Sequence, residues 1–301
     1  MARSRTQGAI RVSDATQVDG TTDVIGPGRV AVVTGGASGI GRALCELLVA
    51  EGSAVVVADL DLTEATAVAA ALQAGGGRAE AVAVDVADPA SVDALAAEAL
   101  RHFGRVDLVC NNAGVSTFNL FRDQTLDDWR WVFDVDLWGV VNGIRTFLPI
   151  LQQQGGPGHI VNTSSMGGLM GGVPFIAPYA AAKAAVVSLS ETLRVELAMT
   201  GSPIGVSVLC PGSTVSNVME SERARPADRG VEQRTDDAEG MRLAIKSTFT
   251  GPDGLPADAV AARTVAAVRA GEFWIFSHPS ERPIVEGRVT EILAAFPPPA
   301  G

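Results

Sequence analysis

Val30-Ala31-Val32-Val33-Thr34-Gly35-Gly36-Ala37-Ser38-Gly39-Ile40-Gly41 is the stretch that decides the fold. Its first five residues are β-branched or small and apolar on both faces, as in a strand covered by helices on either side. The glycines then fall where the chain must turn sharply. The next segment, 39–50, has the Ala/Leu content of a helix. A glycine cluster alone is an ordinary turn. Between a strand end and a helix start it becomes an anion site, because glycine lets the backbone approach a pyrophosphate while the free N–H groups of the helix start face it.

Outward from this stretch the same rhythm recurs. Val-rich runs stand at Ala54–Asp59, Ala81–Val86, Val106–Cys110, His159–Ser164, Ile204–Cys210 and Phe273–Ser277. Helix candidates at 63–74, 89–103, 125–153, 178–199 and 257–270 lie between them. Asp88-Pro89 supplies a cap and a first-turn proline for the third helix. Strand–helix alternation predicts an α/β fold, a single-domain Rossmann-type doubly wound parallel sheet of about seven strands with helices on both faces. The segment 215–256 breaks the rhythm with charge, Pro and Gly, and holds one short helix candidate around Glu239–Ser247. A break of this size reads as a substrate lid or an insertion. Residues 1–28 are polar, lack period and end in Gly26-Pro27-Gly28, so they read as a disordered arm before a domain at 29–301.

Composition narrows the function. The 301 residues, 47% hydrophobic, suffice for one large core. A net charge of −11 without a basic stripe argues against nucleic acid. Cys45, Cys110 and Cys210 are odd in number and sit in apolar stretches, which suggests buried thiols in a reducing compartment such as the cytoplasm. His102, His159 and His278 lack ligand spacing, so no metal site is expected. No apolar run approaches the roughly 18–20 residues of a membrane span.

The glycine loop predicts a dinucleotide, held by Gly35, Ser38, Gly39, Ile40 and Gly41. The second run ends at Asp59, and an acid there accepts hydrogen bonds from a ribose diol and repels a 2′-phosphate. Neither Ser38 nor Leu60 offers that phosphate a cation, so NAD is expected over NADP. Asp61 reads instead as a helix-start carboxylate. Asp85, with Val86 beside it, ends the third run, and either meets the adenine or caps the next helix. Asn112, Ala113 and Gly114 follow the fourth run, at the carboxyl edge where such sheets bind ligands.

Tyr179-Ala180-Ala181-Ala182-Lys183 carries the chemistry. The chain has one tyrosine and two lysines, and here they stand four apart. On a helix that spacing puts both on one face. A nearby ammonium favours phenolate over phenol and is expected to draw the tyrosine pKa toward working pH, as general acid/base catalysis requires.

Together with Asn111–Gly114, the pair Ser164-Ser165 and Pro211-Gly212, these motifs resemble the short-chain dehydrogenase/reductase family from about Arg29 to the end. The resemblance implies hydride exchange between NAD and a small-molecule alcohol or ketone. Tyr179 is then the acid/base group, Lys183 its partner and a contact of the nicotinamide ribose, and Ser165 the partner of the substrate hydroxyl, with Ser164 the alternative. Pro211 and Gly212 precede the nicotinamide contact, which the resemblance places at Thr214, Val215 or Ser216. One departure stands out. The family's long fourth helix usually carries an asparagine in the proton relay, and the matching stretch Val135-Asp136-Leu137-Trp138-Gly139 has Asp136 there. Asn142, six residues on, lies about 240° around a helix and cannot replace it.

The substrate pocket is expected to include Phe118, Phe175 and Met219 beside Ser165, with Phe121, Leu169, Met170, Val173, Val218 and Met241 as further apolar candidates. Trp129–Phe175, Ser216-Asn217 with Arg225-Pro226, and Phe273–Pro279 resemble a subgroup that includes the Cα-dehydrogenases of lignin-type aryl ethers. That implies a bulky hydrophobic or aromatic secondary alcohol. The rival readings are a carbonyl or 3-oxoacyl reductase and a nucleotide-sensing binding protein on the same fold. The resemblance also implies a homodimer or homotetramer built on the helices at 125–153 and 178–199.

Overall fold

The computed structural model describes residues 23–297. Seven strands form one sheet: β1 (Val30–Thr34), β2 (Ala54–Asp59), β3 (Arg78–Ala83), β4 (Leu108–Asn111), β5 (Gly158–Thr163), β6 (Ile204–Cys210) and β7 (Trp274–Phe276). The order is β3-β2-β1-β4-β5-β6-β7 and every pairing is parallel. The winding reverses between β1 and β4, which opens a crevice at their carboxyl ends.

Alternation along β1 explains the layering. Ala31 and Val33 face α1 (Gly39–Ala50), α2 (Leu62–Ala74) and α9 (Ala257–Arg269), in a core with Leu44, Leu48, Val68 and Val265. Val32 faces the other way, in a core shared with α3 (Pro89–Phe103), α5 (Gly139–Gln153) and α7 (Ala177–Met199) through Leu95, Phe147 and Leu193. Each fully buried side chain of this kind contributes about 1.5–3 kcal/mol. A strand buried on both faces therefore outweighs any local preference.

β1, β2 and β6 and helices α1 and α3 have the predicted limits. The third strand lies three residues earlier than the run Ala81–Val86. It pairs with β2 alone and is an edge strand with polar Arg78 and Glu80, so it lacks the all-apolar signature. Its apolar continuation, Val84 to Val86, leaves the sheet and walls a cavity. The predicted helix at 125–153 is broken into α4 (Leu126–Phe133), a π-turn at Asp134–Trp138, and α5. Such one-residue expansions occur mostly at functional sites, and Asp136 lies inside this one. The arm boundary is also corrected. Val24 and Ile25 are buried in the core and the Gly26 N–H donates to Ser53 Oγ at 2.9 Å, so 23–28 belong to the folded body. Residues 1–22 lie outside the described residues. The short helix in the break is longer than expected, α8 (Asp236–Phe249), while α6 (Met166–Met170) and α10 (Arg282–Ala294) have no counterpart among the predicted helices.

Candidate active site

A cavity of about 450 Å³ lies at the carboxyl edge of the sheet. Gly35, Ser38, Gly39, Ile40, Asp59, Asp85, Val86, Asn112, Ala113 and Gly114 wall one end of it. Gly35 (φ 65°) and Gly39 (φ 52°) take the left-handed turns that the loop needs. Gly41 is not a wall. A Cβ there would sit 2.1 Å from the Gly35 carbonyl oxygen, so its bareness lets α1 pack under the loop. The Asp59 carboxylate accepts the Ala37 N–H at 3.0 Å and the Asp61 N–H at 3.1 Å, which fixes it at the mouth. Its neighbours on the wall are Ser38 and Leu60. Asp61 caps α2 as expected, accepting the Thr63 and Glu64 N–H groups. Asp85 does not cap α3, since Asp88 does. Asp85 accepts the Ala87 N–H at 2.9 Å within its own loop while walling the cavity. The Thr34 hydroxyl accepts the Asn112 and Ala113 N–H groups at 2.9 and 3.1 Å, tying the ends of β1 and β4 together. An open glycine loop and a fixed carboxylate fit the ribose diol of a dinucleotide without a 2′-phosphate.

Tyr179 and Lys183 stand on α7, and Ser165 caps α6 by accepting the Gly167 N–H at 3.0 Å. All three line the cavity, and the Ser165 hydroxyl is among the groups that lower the Tyr179 pKa. The Ser164 hydroxyl is committed elsewhere. It is buried and donates to the Lys183 carbonyl at 2.7 Å, so Ser165 is the serine free to meet a ligand. Lys183 Nζ donates to the Thr163 carbonyl at 3.0 Å and lies 3.2 Å from Asp136 Oδ2. Asp136 Oδ1 accepts the Val115 N–H at 2.8 Å, and the carboxylate is wholly buried. Burial raises the Asp136 carboxyl above its ordinary value, opposed first by Lys183. Asn142 donates to the Val86 carbonyl at 2.9 Å, away from this chain of contacts.

The expectation of a lowered tyrosine pKa is reversed in the protein alone. Burial raises Tyr179, Lys183 lowers it, and the Asp136 charge raises it again. The lysine is in place, but its effect is offset by low-dielectric surroundings and by its own counter-ion.

The other end of the cavity is apolar. Phe118, Ile176 and Met219 form one buried cluster there, and Met166, Met170, Val173, Ile245 and Phe249 complete the wall. Phe118 and Met219 are thus where the sequence predicts. Phe175 is not on the wall. Its backbone is left-handed (φ 69°), and its carbonyl accepts the Asn119 N–H at 2.9 Å. Phe121 is exposed and packs edge-on to Trp129, and Leu169 and Met241 are likewise not on the wall. Pro211, Gly212, Thr214 and Ser216 line the cavity, whereas Val215 is exposed.

The break at 215–256 covers this end and is held by side chains. Arg225 pairs with Asp128 of α4 at 2.6 Å, both nearly inaccessible, and stacks over the Trp131 ring at 4.4 Å. Arg229 reaches Asp134 at 2.7 Å, and the Ser116 N–H donates to Ser221 Oγ at 3.1 Å. Sequence reasoning missed Glu281, which lines the cavity from the C-terminal segment with no motif around it.

The sequence model of the family described as short chain dehydrogenase matches residues 29–227. The C alpha-dehydrogenase of Sphingobium sp. is 34% identical over 271 residues, 90% of this chain and 87% of that protein. The 1-deoxy-11-beta-hydroxypentalenate dehydrogenase of Streptomyces exfoliatus is also 34% identical, covering 90% and 92%. A short chain dehydrogenase/reductase from Burkholderia phymatum, solved in complex with NAD, superposes with a TM-score of 0.86 at 36% identity, covering 93% of this chain and 98% of that one. With these likenesses added to the sheet order and to the grouping of Tyr179, Lys183 and Ser165, the chain belongs to the short chain dehydrogenase family.

Proposed function

We propose that the chain interconverts a bulky hydrophobic or aromatic secondary alcohol and its ketone. It is an NAD-dependent oxidoreductase acting on CH–OH groups. The observation that carries the substrate reading is the cavity itself, in which Ser165, Tyr179 and Lys183 separate a glycine-and-aspartate end from an end walled by Phe118, Ile176, Met219 and Phe249. When bound, NAD would supply the hydride acceptor for the carbinol carbon in oxidation, and its reduced form the hydride donor in reduction.

The chain's own residues do the rest. Asp59 would hold the adenosine ribose diol, Asp85 and Val86 would bind the adenine, and Asn112 to Gly114 with Pro211, Gly212 and Thr214 would hold the nicotinamide half. Ser165 donates to the substrate oxygen and fixes it beside Tyr179. Tyr179 as phenolate removes the hydroxyl proton in oxidation and as phenol returns it in reduction. Lys183 stabilises the phenolate and holds the nicotinamide ribose. Asp136 holds Lys183 and the Val115 backbone in the place of the family's relay asparagine. Holding both reactants in line supplies much of the acceleration.

The test is an NAD-linked absorbance assay over a panel of secondary alcohols, with wild type beside Tyr179→Phe. General acid/base catalysis contributes about 10²–10⁴-fold, so the variant loses at least that much turnover while still binding NAD. Equal activity in the two proteins refutes the assignment of Tyr179, and a preference for short polyols or sugars refutes the substrate class.

An assembly of two or four copies belongs to the same reading. Trp138 is 54% exposed and, with Leu137, Val141 and Leu189, lines an apolar hollow between α5 and α7, the helices on which the assembly is expected. Sedimentation of the protein as a monomer at micromolar concentration would remove it. A cytoplasmic location is supported by the three buried free cysteines; among the described residues no helix is long and apolar enough to cross a membrane.

A further inference from the structure

α10 has little grip on the rest of the chain. Every residue in it is exposed except Val285 and Arg288, which stand three apart on one face. Val285 packs on the core shared by α3, α5 and α7. Arg288 reaches backbone instead. Its Nη1 donates to the Leu169 carbonyl at 2.6 Å and to the Gly168 carbonyl at 3.4 Å. Among the described residues it has no other hydrogen-bond or ion-pair partner. A Cβ on Gly171 would sit 3.1 Å from Arg288 Nε, so the guanidinium lies directly against the turn that ends α6.

α6 is one short turn, and a lone turn fixes several dihedrals for a single hydrogen bond. Side chains close both of its ends. At the start, Ser165 Oγ accepts the Gly167 N–H at 3.0 Å. At the end, the last carbonyls have no helical partner, and a guanidinium there both satisfies them and complements the helix dipole. Between the two clamps, bare glycines press the turn against the reacting groups. A Cβ on Gly168 would sit 2.7 Å from the Lys183 carbonyl carbon, so α6 and α7 meet backbone to backbone at the lysine. A Cβ on Gly167 would sit 3.4 Å from Ser165 Oγ and 3.5 Å from Cε1 of the Tyr179 ring. The turn that Arg288 closes is therefore the turn that Ser165 begins and that lies beside Tyr179.

We propose that Arg288 is a positioning residue for the reaction: it closes α6 and so holds Ser165 in register with Tyr179 and Lys183, which makes the C-terminal helix part of what orders the active site. The inference rests on the alcohol–ketone reading above, in which Ser165 fixes the substrate oxygen. Arg288 is not on the cavity wall, so its effect passes through the serine. That route separates it from general support of the fold. A residue that only supports the fold adds its cost to any other defect, whereas one acting through Ser165 has no effect left once the serine hydroxyl is gone.

The test is a double-mutant cycle of Arg288→Leu with Ser165→Ala, read in two ways. The first is kcat/KM for a benzylic secondary alcohol at saturating NAD. Misplacing a reacting group from a distance costs up to about a hundredfold, so Arg288→Leu loses about ten- to hundredfold with NAD affinity unchanged. In the Ser165→Ala background the same change costs less than about twofold. The second is ultraviolet titration of Tyr179, the one tyrosine, which needs no turnover. The Ser165 hydroxyl is among the groups that lower Tyr179, so Arg288→Leu moves the titration to higher pH, and in the Ser165→Ala background it moves it no further. Arg288→Lys keeps a cation over the carbonyls and retains a substantial part of both readouts. Losses that add across the cycle overturn the proposal, as does an Arg288→Leu protein with wild-type turnover or an unmoved titration. Collapse of NAD binding in both Arg288 variants marks general support of the fold and overturns it as well. Full turnover in Tyr179→Phe breaks the underlying reaction instead, and the titration cycle still decides the part played by Arg288.

Discussion

The two ends of the cavity are built by different means. At the cofactor end the contacts are made by backbone: the Asp59 carboxylate takes two N–H groups, the Thr34 hydroxyl takes two more, and Gly35, Gly39 and Gly41 act through having no side chain. At the substrate end the cover over the pocket is fastened by side chains from distant parts of the chain: Arg225 to Asp128, Arg229 to Asp134, Asn119 to the Gln233 carbonyl and Glu281 over Gly212. A backbone cradle serves a ligand that does not change, so few residues at that end can vary. Side-chain fasteners can be exchanged without touching the sheet, which lets one fold take many substrates. The comparison predicts that the two ends fail separately.

The largest expected effect is at the substrate end. Arg225→Ala leaves Asp128 buried with only Thr125 for company, and breaking a buried pair costs about 3–5 kcal/mol. The loss falls on the cover, so proteolysis within 215–256 quickens and KM for the alcohol rises steeply, while the NAD dissociation constant holds. Calorimetric titration of NAD and limited digestion separate these. A double-mutant cycle with Asp128→Ala isolates the pair from its surroundings. If NAD binding collapses in step with substrate binding, the two ends are one unit and the comparison is broken.

The reciprocal experiment acts on Asp59. Asp59→Ala with Leu60→Arg removes the ribose acceptor and supplies a cation beside it. Hydrogen bonds to charged groups are worth about 1.5–3 kcal/mol, so NAD affinity falls roughly ten- to hundredfold and NADP affinity rises. KM for the alcohol at saturating cofactor stays as it was. Fluorescence titration of both reduced cofactors reads the first effect and initial rates read the second. An unchanged cofactor preference would show that another group reads the ribose.

The same division explains what the sequence made legible. The glycine loop, Asp59 and the Tyr179/Lys183 spacing are readable because backbone geometry and a helical face dictate residue types at fixed offsets. The parallel doubly wound sheet follows from the strand–helix rhythm, and the largely buried β1, β2 and β6 have the limits expected of them. What failed was tertiary. β3 is displaced because its apolar continuation is cavity wall rather than strand. Val24 and Ile25 hide in a polar-looking arm because only the folded body gives them a core to enter. Phe175 is turned off the wall by a left-handed backbone that no glycine announces. Glu281 reaches the cavity through a hinge of chain that carries no signal of its own. Side-chain fasteners across a hundred residues leave no period to detect, so the substrate end is the less legible of the two.

The smallest expected effect lies on the seam between the ends, at the π-turn. Asp136 is held behind the cavity wall by the Val115 N–H, stands 3.2 Å from Lys183, and its charge raises Tyr179. Asp136→Asn keeps the acceptor for the Val115 N–H and removes that charge. The sign follows directly. A negative neighbour disfavours phenolate, so its removal lowers the Tyr179 pKa, and the rate of alcohol oxidation, which needs phenolate, then rises with pH over a more acidic range. The shift lowers the raised value without cancelling it, because burial remains its first cause. With one tyrosine in the chain, the ultraviolet phenolate absorbance titrates Tyr179 alone and checks the same shift without turnover. Adding NAD⁺ should move that titration further in the acidic direction, since it brings a positive ring to the phenol. A variant that gains turnover with its pH profile unmoved would mean that Asp136 acts through packing. In that case the carboxylate is a structural replacement for the family's asparagine and has no part in the proton's path.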